Sequence, residues 1–429
     1  MTIVLLLGAG VARAQTPAAT PPDELLRQAD AALQKEDYAS AAQALEAYLA
    51  QNPQDYRAKF NLALAYSLTG RKPEAIALYR QVLAQQSDLV PAHLNLGILL
   101  LEAGRAAEAL EQFQLVVEKQ PDHWAAQFNR ANALVALGRV PEASEAYERA
   151  IELKPDFAPT HLAYAEVLAP ADPAAAERHL RRALELDPAL EAAKLALAGV
   201  LEVRASQQSD ADKATVLEEA AAIYQQLLAA HPERVELRIR LGELYLDEKR
   251  LTDAIRELEA ARAAGSTTVL VNDALLHAYL EVKQNDKALA LLPELLAQDG
   301  SNAELYLLQG SLLMEKRQYQ QAVGSFRRSI ELAPESAGGY TNLASALYLI
   351  QDYPGTVGAL EKVTALGKDT AGSYFLRAIT LDKLGAKQPA LENYQRFLAA
   401  DGKKNPDQEF QARQRSLILA KELKQSRGR

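Results

Sequence analysis

Apolar residues recur along most of the chain at spacings of three and four, which is the period of an amphipathic α-helix. The segment 94–100, which reads LNLGILL, is typical of these stretches. The chain is rich in Ala, Leu, Glu and Gln, residues that lose little rotamer freedom in a helix. The pattern therefore predicts an all-α protein.

A second, longer period is superimposed on the helical one. Four residues of one segment return 34 positions later with identical or similar side chains: Gly104, Ala109, Phe113 and Pro121 correspond to Gly138, Ala143, Tyr147 and Pro155. A fixed period of this length indicates stacked repeats, each of which buries its apolar face against its neighbours.

The period divides residues 22–404 into eleven units, each predicted to be two antiparallel helices. They run 22–55, 56–89, 90–123, 124–157, 158–190, 191–234, 235–268, 269–302, 303–336, 337–370 and 371–404. Position 8 of a unit is small in ten of them, which lets the two helices approach, and a large side chain at position 24 fills the space between neighbours. Pro at position 32 ends the second helix in several units, because it lacks an N–H.

Two regions depart from the repeat. The sixth unit carries about ten extra residues near 204–213, predicted to form a loop or to extend its helices. Residues 405–429 are predicted to form a capping helix, from Asp407 to about Gln425, and a basic tail, with Phe410, Leu417, Leu419 and Leu423 on one side of the helix. Terminal repeats need a polar outer face for solubility. The alternative is that this helix belongs to a twelfth unit.

The 34-residue unit resembles the tetratricopeptide repeat, and the resemblance covers nearly all of residues 22–404. It implies a right-handed superhelical solenoid whose first helices line a concave groove. It also implies a protein–protein interaction scaffold that binds extended peptides or helices of other proteins. The alternative function is a structural subunit of an outer-membrane assembly or polysaccharide-export machine.

Asn recurs at position 6 of three consecutive units, as Asn61, Asn95 and Asn129. The row resembles the asparagine ladder in the tetratricopeptide domain of O-linked GlcNAc transferase, which implies contact with a peptide backbone. Beside it lie an apolar stripe and two cations, and the predicted groove therefore also contains Phe60, Leu94, Phe128, Arg57 and Arg130. The alternatives are that this Asn is only a feature of the repeat consensus and that the stripe packs inside the solenoid.

Composition limits the chemistry. The net charge of -9 argues against nucleic-acid binding, because Lys and Arg must neutralise phosphates. There is no Cys, which excludes disulfides and thiolate sites. No phosphate-binding loop, nucleophile elbow or metalloprotease motif is present, and His93 and His161 lie two units apart, too far to share a zinc ion. We therefore expect no enzyme activity, no cofactor and no metal.

The N-terminus has features of an export signal. Residues 3–11 are a short apolar run, and Ala12-Arg13-Ala14 fits the small-x-small rule for cleavage. No basic residue precedes the run, which departs from the usual signal. We expect a signal peptide over 1–14, a flexible linker over 15–21 and export to the periplasm, or a cytoplasmic location if the segment is not a signal. No apolar stretch is long enough to predict a transmembrane helix.

Overall fold

The computed structural model describes residues 20–266 and 268–427. Regular structure in these ranges consists of 23 α-helices, with no strand among the described residues. This confirms the all-α fold class. The signal peptide predicted over 1–14 and most of the linker predicted over 15–21 lie outside the described residues.

The helices group into two compact units, Met1–Ile223 and Tyr224–Arg429, and the division falls inside α12. We call them the N-terminal and C-terminal units. The first twelve helices are α1 Pro22–Gln34, α2 Tyr38–Gln51, α3 Tyr56–Leu68, α4 Lys72–Gln85, α5 Val90–Glu102, α6 Ala106–Lys119, α7 Trp124–Ala136, α8 Val140–Leu153, α9 Ala158–Leu168, α10 Pro173–Leu186, α11 Glu191–Ala205 and α12 Asp210–Ala230. The others are α13 Val235–Asp247, α14 Leu251–Ala263, α15 Val269–Glu281, α16 Asn285–Gln298, α17 Ala303–Glu315, α18 Tyr319–Leu332, α19 Ala337–Leu349, α20 Tyr353–Ala365, α21 Ala371–Lys383, α22 Lys387–Ala400 and α23 Pro406–Arg427.

Short turns connect the two helices of each pair. After α5, Gly104 adopts a φ of +73°, and the amide of Arg105 then donates to the carbonyl of Leu100 at 2.8 Å. Glycine adopts this left-handed conformation without the penalty that a Cβ imposes, so it ends the helix cleanly. Gly70 and Gly138 fill the equivalent turns of the neighbouring pairs, with φ of +82° and +72°.

Small residues allow the two helices of a pair to approach, as the repeat pattern predicted. A Cβ atom built on Gly97 would lie 2.5 Å from a ring carbon of Phe113, closer than carbon atoms pack. In the C-terminal unit the side chain of Leu258 lies against Gly242 in the same way. The large residues at position 24, such as Tyr79 and Phe113, are fully buried. Each pair therefore closes around one large side chain.

The extra residues of the sixth repeat mostly lengthen its helices. Helix α11 has 15 residues and α12 has 21, whereas the typical first and second helices have 13 and 14. Only residues 206–209 separate them. Of the two predicted outcomes, loop or extension, the structure has chiefly the extension.

Helix α23 follows the eleven pairs and packs against α22. Ala412 and Leu419 are fully buried, whereas Phe410 and Leu417 are 67% and 69% exposed. The sequence placed Phe410, Leu417 and Leu419 on one side of this helix, which is wrong. Residues two apart differ in direction by about 200° around a helix, so Leu417 and Leu419 point to opposite sides. The outer face of α23 exposes Phe410 and Leu417, so it is not the polar surface expected of a capping helix.

None of the helices in the described ranges is long and apolar enough to span a membrane.

Candidate functional site

The candidate site lies on the first helices of consecutive pairs in the N-terminal unit. Helix α5 contacts α3 on one side and α7 on the other, and α7 also contacts α9. We call α3, α5, α7 and α9 the first-helix layer. Because these helices touch one another directly, equivalent positions on them form continuous rows.

The predicted apolar stripe lies in this layer and is half-buried. Phe60, Leu94 and Phe128 all pack against the core of the N-terminal unit without being enclosed by it. The ring of Phe60 meets Tyr79 edge-on at 5.5 Å between centroids, and Phe128 lies 6.2 Å from Tyr147. Packing within the solenoid, the alternative weighed for this stripe, therefore accounts for part of its surface, and the remainder is open to solvent.

Tyr79 is the structural centre of this region. It is fully buried, and burial raises the pKa of its hydroxyl to about 12, because the charged phenolate is disfavoured away from water. The Nδ2 atom of Asn95 donates a hydrogen bond to the Tyr79 hydroxyl at 3.0 Å. Asn95 therefore joins α5 to α4 and has a structural role of its own.

The other two amides of the predicted ladder have different partners. Asn129 donates through Nδ2 to the backbone carbonyl of Ala125 in its own helix at 2.8 Å. Asn61 makes no hydrogen bond within the part of the chain that the structure describes. In both Asn95 and Asn129 the bond uses the amide nitrogen and leaves Oδ1 as an acceptor. All three are half-buried, so the row offers amide oxygens at its surface.

The two predicted arginines are in different environments. Arg57 is exposed, and its Nε donates to the hydroxyl of Tyr56 at 3.3 Å. Arg130 is half-buried at position 7, where Leu62 and Leu96 stand in the preceding units. Its guanidinium bonds Gln127 at 3.3 Å, while its buried Nε has no partner among the described residues. Arg57 is thus free to meet a ligand, whereas Arg130 is largely committed to the interior.

A histidine pair between α9 and α10 was not predicted from the sequence. The Nδ1 atoms of His161 and His179 lie 3.1 Å apart, and the Nε2 of His161 lies 3.1 Å from the carbonyl oxygen of Pro155. A carbonyl only accepts, so Nε2 of His161 carries the hydrogen and His179 donates through Nδ1. Burial lowers the pKa of both imidazoles. Across the described ranges, no three His, Asp or Glu side chains converge as a metal site requires.

Comparison with known proteins identifies the family. A tetratricopeptide repeat model matches residues 26–89, 94–156, 274–337 and 307–363, and a second model of the same description matches 217–271. No curated protein matches the sequence.

Several solved structures resemble parts of the chain. A tetratricopeptide repeat protein from Parabacteroides merdae is 18% identical over 60% of this chain and 98% of its own, with a TM-score of 0.43. The C-terminal part of a repeat protein from Cytophaga hutchinsonii is 15% identical over 58% of this chain and 98% of its own, with a TM-score of 0.49. MamA from Desulfovibrio magneticus is 18% identical over 39% of this chain and 96% of its own, with a TM-score of 0.38. Because the first family model alone matches slightly more than half of the sequence, the chain belongs to the tetratricopeptide repeat family.

Proposed function

We propose that the first-helix layer of the N-terminal unit binds an extended or helical segment of a partner protein. Tetratricopeptide repeats generally mediate protein–protein interaction. The observation that supports this location is the half-buried stripe of Phe60, Leu94 and Phe128, which leaves apolar surface open beside a row of amide oxygens. The same helices carry two further exposed apolar side chains, Leu68 at the end of α3 (54% exposed) and Val135 on α7 (39% exposed).

The chemistry of the surface defines the segment it would accept. Apolar side chains of the partner would cover the stripe, and its backbone N–H groups would donate to Oδ1 of Asn61, Asn95 and Asn129. Each such hydrogen bond contributes a net of about 0.5–1.5 kcal/mol. The main part of the affinity would therefore come from the apolar contacts, and the amides would fix the direction and register of the bound segment.

A photo-crosslinking residue in place of Leu68 tests the location of the site in cells. Leu115, 37% exposed on the second helix α6, provides the matched control position. We expect a partner segment to be captured from position 68 and not from position 115, and to be identified by mass spectrometry. Equal capture at both positions, or none at position 68, would contradict a site on the first-helix layer.

The role of the amides can be separated from their structural role. The double change Asn61→Ala and Asn129→Ala leaves the hydrogen bond between Asn95 and Tyr79 intact. We expect a synthetic peptide of the captured segment to bind this variant about 1–3 kcal/mol more weakly in calorimetry, with an unchanged melting temperature. Unchanged affinity would remove the amide row from the site.

We further propose that the chain acts in the cell envelope. The support is the apolar run over 3–11 followed by Ala12-Arg13-Ala14. N-terminal sequencing of the protein from its native host is expected to begin at Gln15. A sequence that begins at Met1 would place the interaction in the cytoplasm instead.

A further inference from the structure

Helix α23 has one buried and one uncovered face. A preceding first helix such as α21 lies between two second helices, α20 and α22. Helix α23 contacts α22, and within residues 268–427 no second helix covers its other side. Phe410 and Leu417 lie on this other side and are the two most exposed large hydrophobic side chains of the described residues, and Ile418 beside them is 46% exposed.

The uncovered residues form a single stripe. Asp407, Phe410, Gln414, Leu417, Lys421 and Lys424 are all exposed and follow one another at alternating spacings of three and four. This alternation is the spacing of the contact seam between two long helices that pair side by side. The stripe lies opposite Ala412 and Leu419, so a helix could pack on it without disturbing the contact between α22 and α23.

The charged residues of the stripe have opposite signs at its two ends. Asp407 lies in the first turn of α23, and Lys421 and Lys424 lie near its end, and none of the three forms an ion pair with a described residue. The flanking charges are already used: Arg415 pairs with Asp382 at 2.5 Å, Glu422 pairs with Lys387 at 3.0 Å, and Arg413 lies 3.7 Å from Glu409. The free charges therefore have opposite signs at the two ends of one helix.

A second copy of the same helix fits these features when it runs antiparallel. We propose that α23 pairs with α23 of a second copy in a two-fold symmetric dimer. An axis between Arg415 and Ser416 places Asp407 opposite Lys424, Phe410 opposite Lys421 and Gln414 opposite Leu417. Leu417 of the second copy then lies about one helical turn from Phe410. Symmetry produces each contact twice. A parallel pair would instead bring like charges together at both ends.

The area of the stripe limits the stability of the dimer. A stable complex buries about 800 Å² on each partner, and a single helix face supplies less than that. The dimer is therefore weak and forms in a concentration-dependent way.

Sedimentation velocity of the full chain, at loading concentrations from about 1 to 100 µM, tests the pairing. The average mass of the wild-type chain is expected to rise from that of the monomer toward twice that value. The double variant Phe410→Asp and Leu417→Asp is expected to stay monomeric throughout. Leu270→Asp, which changes a side chain that is 61% exposed on α15, is the matched control and is expected to dimerise like the wild type. A monomeric wild type, or dimerisation of the double variant, would overturn the proposal.

Two further measurements test whether the two helices run antiparallel and whether a second copy or a membrane surface covers the stripe. Lys424→Glu is expected to weaken the dimer about threefold to tenfold, and adding Asp407→Lys is expected to restore it. Failure of this restoration would overturn the antiparallel arrangement. Circular dichroism checks that each variant remains helical. If the chain stays monomeric but sediments with phosphatidylglycerol vesicles, and the Phe410→Asp and Leu417→Asp variant does not, a membrane surface covers the stripe and self-pairing is wrong.

Discussion

Replacing Asn95 with Ala is expected to weaken the packing of α5 on α4. The change removes the amide that donates to the hydroxyl of Tyr79 at 3.0 Å. Tyr79 has no exposed surface, so water cannot readily replace the lost donor. A buried polar group left without its partner costs about 1–3 kcal/mol, and we expect a loss of this size.

The assay must report on one repeat. Repeat proteins open in segments, and a global unfolding midpoint would dilute a change confined to one pair of helices. Hydrogen exchange of the amides of α4 and α5 gives the free energy of local opening directly. We expect it to fall by about 1–3 kcal/mol in these two helices and to change little in α1 or in the C-terminal unit. Asn342→Ala is the matched control, since Asn342 has the equivalent position in α19 and no hydrogen bond among the described residues.

Tyr79→Phe is the second substitution of a double-mutant cycle with Asn95→Ala. Tyr79→Phe removes the hydroxyl and leaves Asn95, which is half-buried and can turn to water, so this change is expected to cost only about 0.5–1.5 kcal/mol. In the Tyr79→Phe background, Asn95→Ala is expected to cost little more. If Asn95→Ala costs as much there as in the wild type, the hydrogen bond does not stabilise the contact and the structural role of Asn95 is wrong.

Four further predictions concern local stability. Gly97→Ala places a Cβ atom 2.5 Å from a ring carbon, so urea unfolding should show a loss of about 1–3 kcal/mol. Gly199→Ala, where nothing lies within 4 Å, should raise stability by up to about 1 kcal/mol. Burial lowers the pKa of His161 and His179, so the unfolded chain binds protons more readily than the folded one. The free energy of unfolding should therefore fall as pH decreases below 6.5, the ordinary pKa of histidine. Thermal melts at pH 7.5 and 5.5 should show a lower melting temperature at pH 5.5, and His179→Gln should reduce that difference in melting temperature. Proteinase K should make its first cut among the described residues at 206–209, between two helices, and mass spectrometry locates the cut; an earlier cut within α3 to α8 would contradict this.

The fold could be predicted because its determinants are local. Helices α3, α5 and α7 begin at Tyr56, Val90 and Trp124, which repeat at the 34-residue period of the sequence. A small residue at position 8 and a large one at position 24 lie within one unit, so their contact follows from the helix pair itself. The uncovered stripe of α23 was not predicted, because which side of a terminal helix packs depends on the helix before it.

The partners of the three asparagines were not predicted because they depend on the preceding unit. Position 6 of a first helix lies near position 24 of the second helix before it. That residue is Leu45 for Asn61, Tyr79 for Asn95 and Phe113 for Asn129. Only Tyr79 has a hydroxyl, so only Asn95 finds a side-chain partner there. The three asparagines have the same position in the repeat but different hydrogen-bond partners. The residue 16 positions upstream of each one determines whether a side-chain partner is available.

Polar side chains also pair inside single units, and one member of each pair is buried. Position 4 of a first helix faces position 23 of the second helix, where His93 bonds Gln112 at 2.8 Å and Arg238 pairs with Glu257 at 3.2 Å. In the fifth unit, which is one residue shorter, His161 meets His179 at position 22. Each pair satisfies its own members, since an unpaired polar group at such a site would cost free energy. A pair can therefore differ from one unit to the next without changing the stacking of the repeats. Protonation of His161 and His179 is for this reason expected to loosen the helix pair α9 and α10 without changing the stacking of the other repeats.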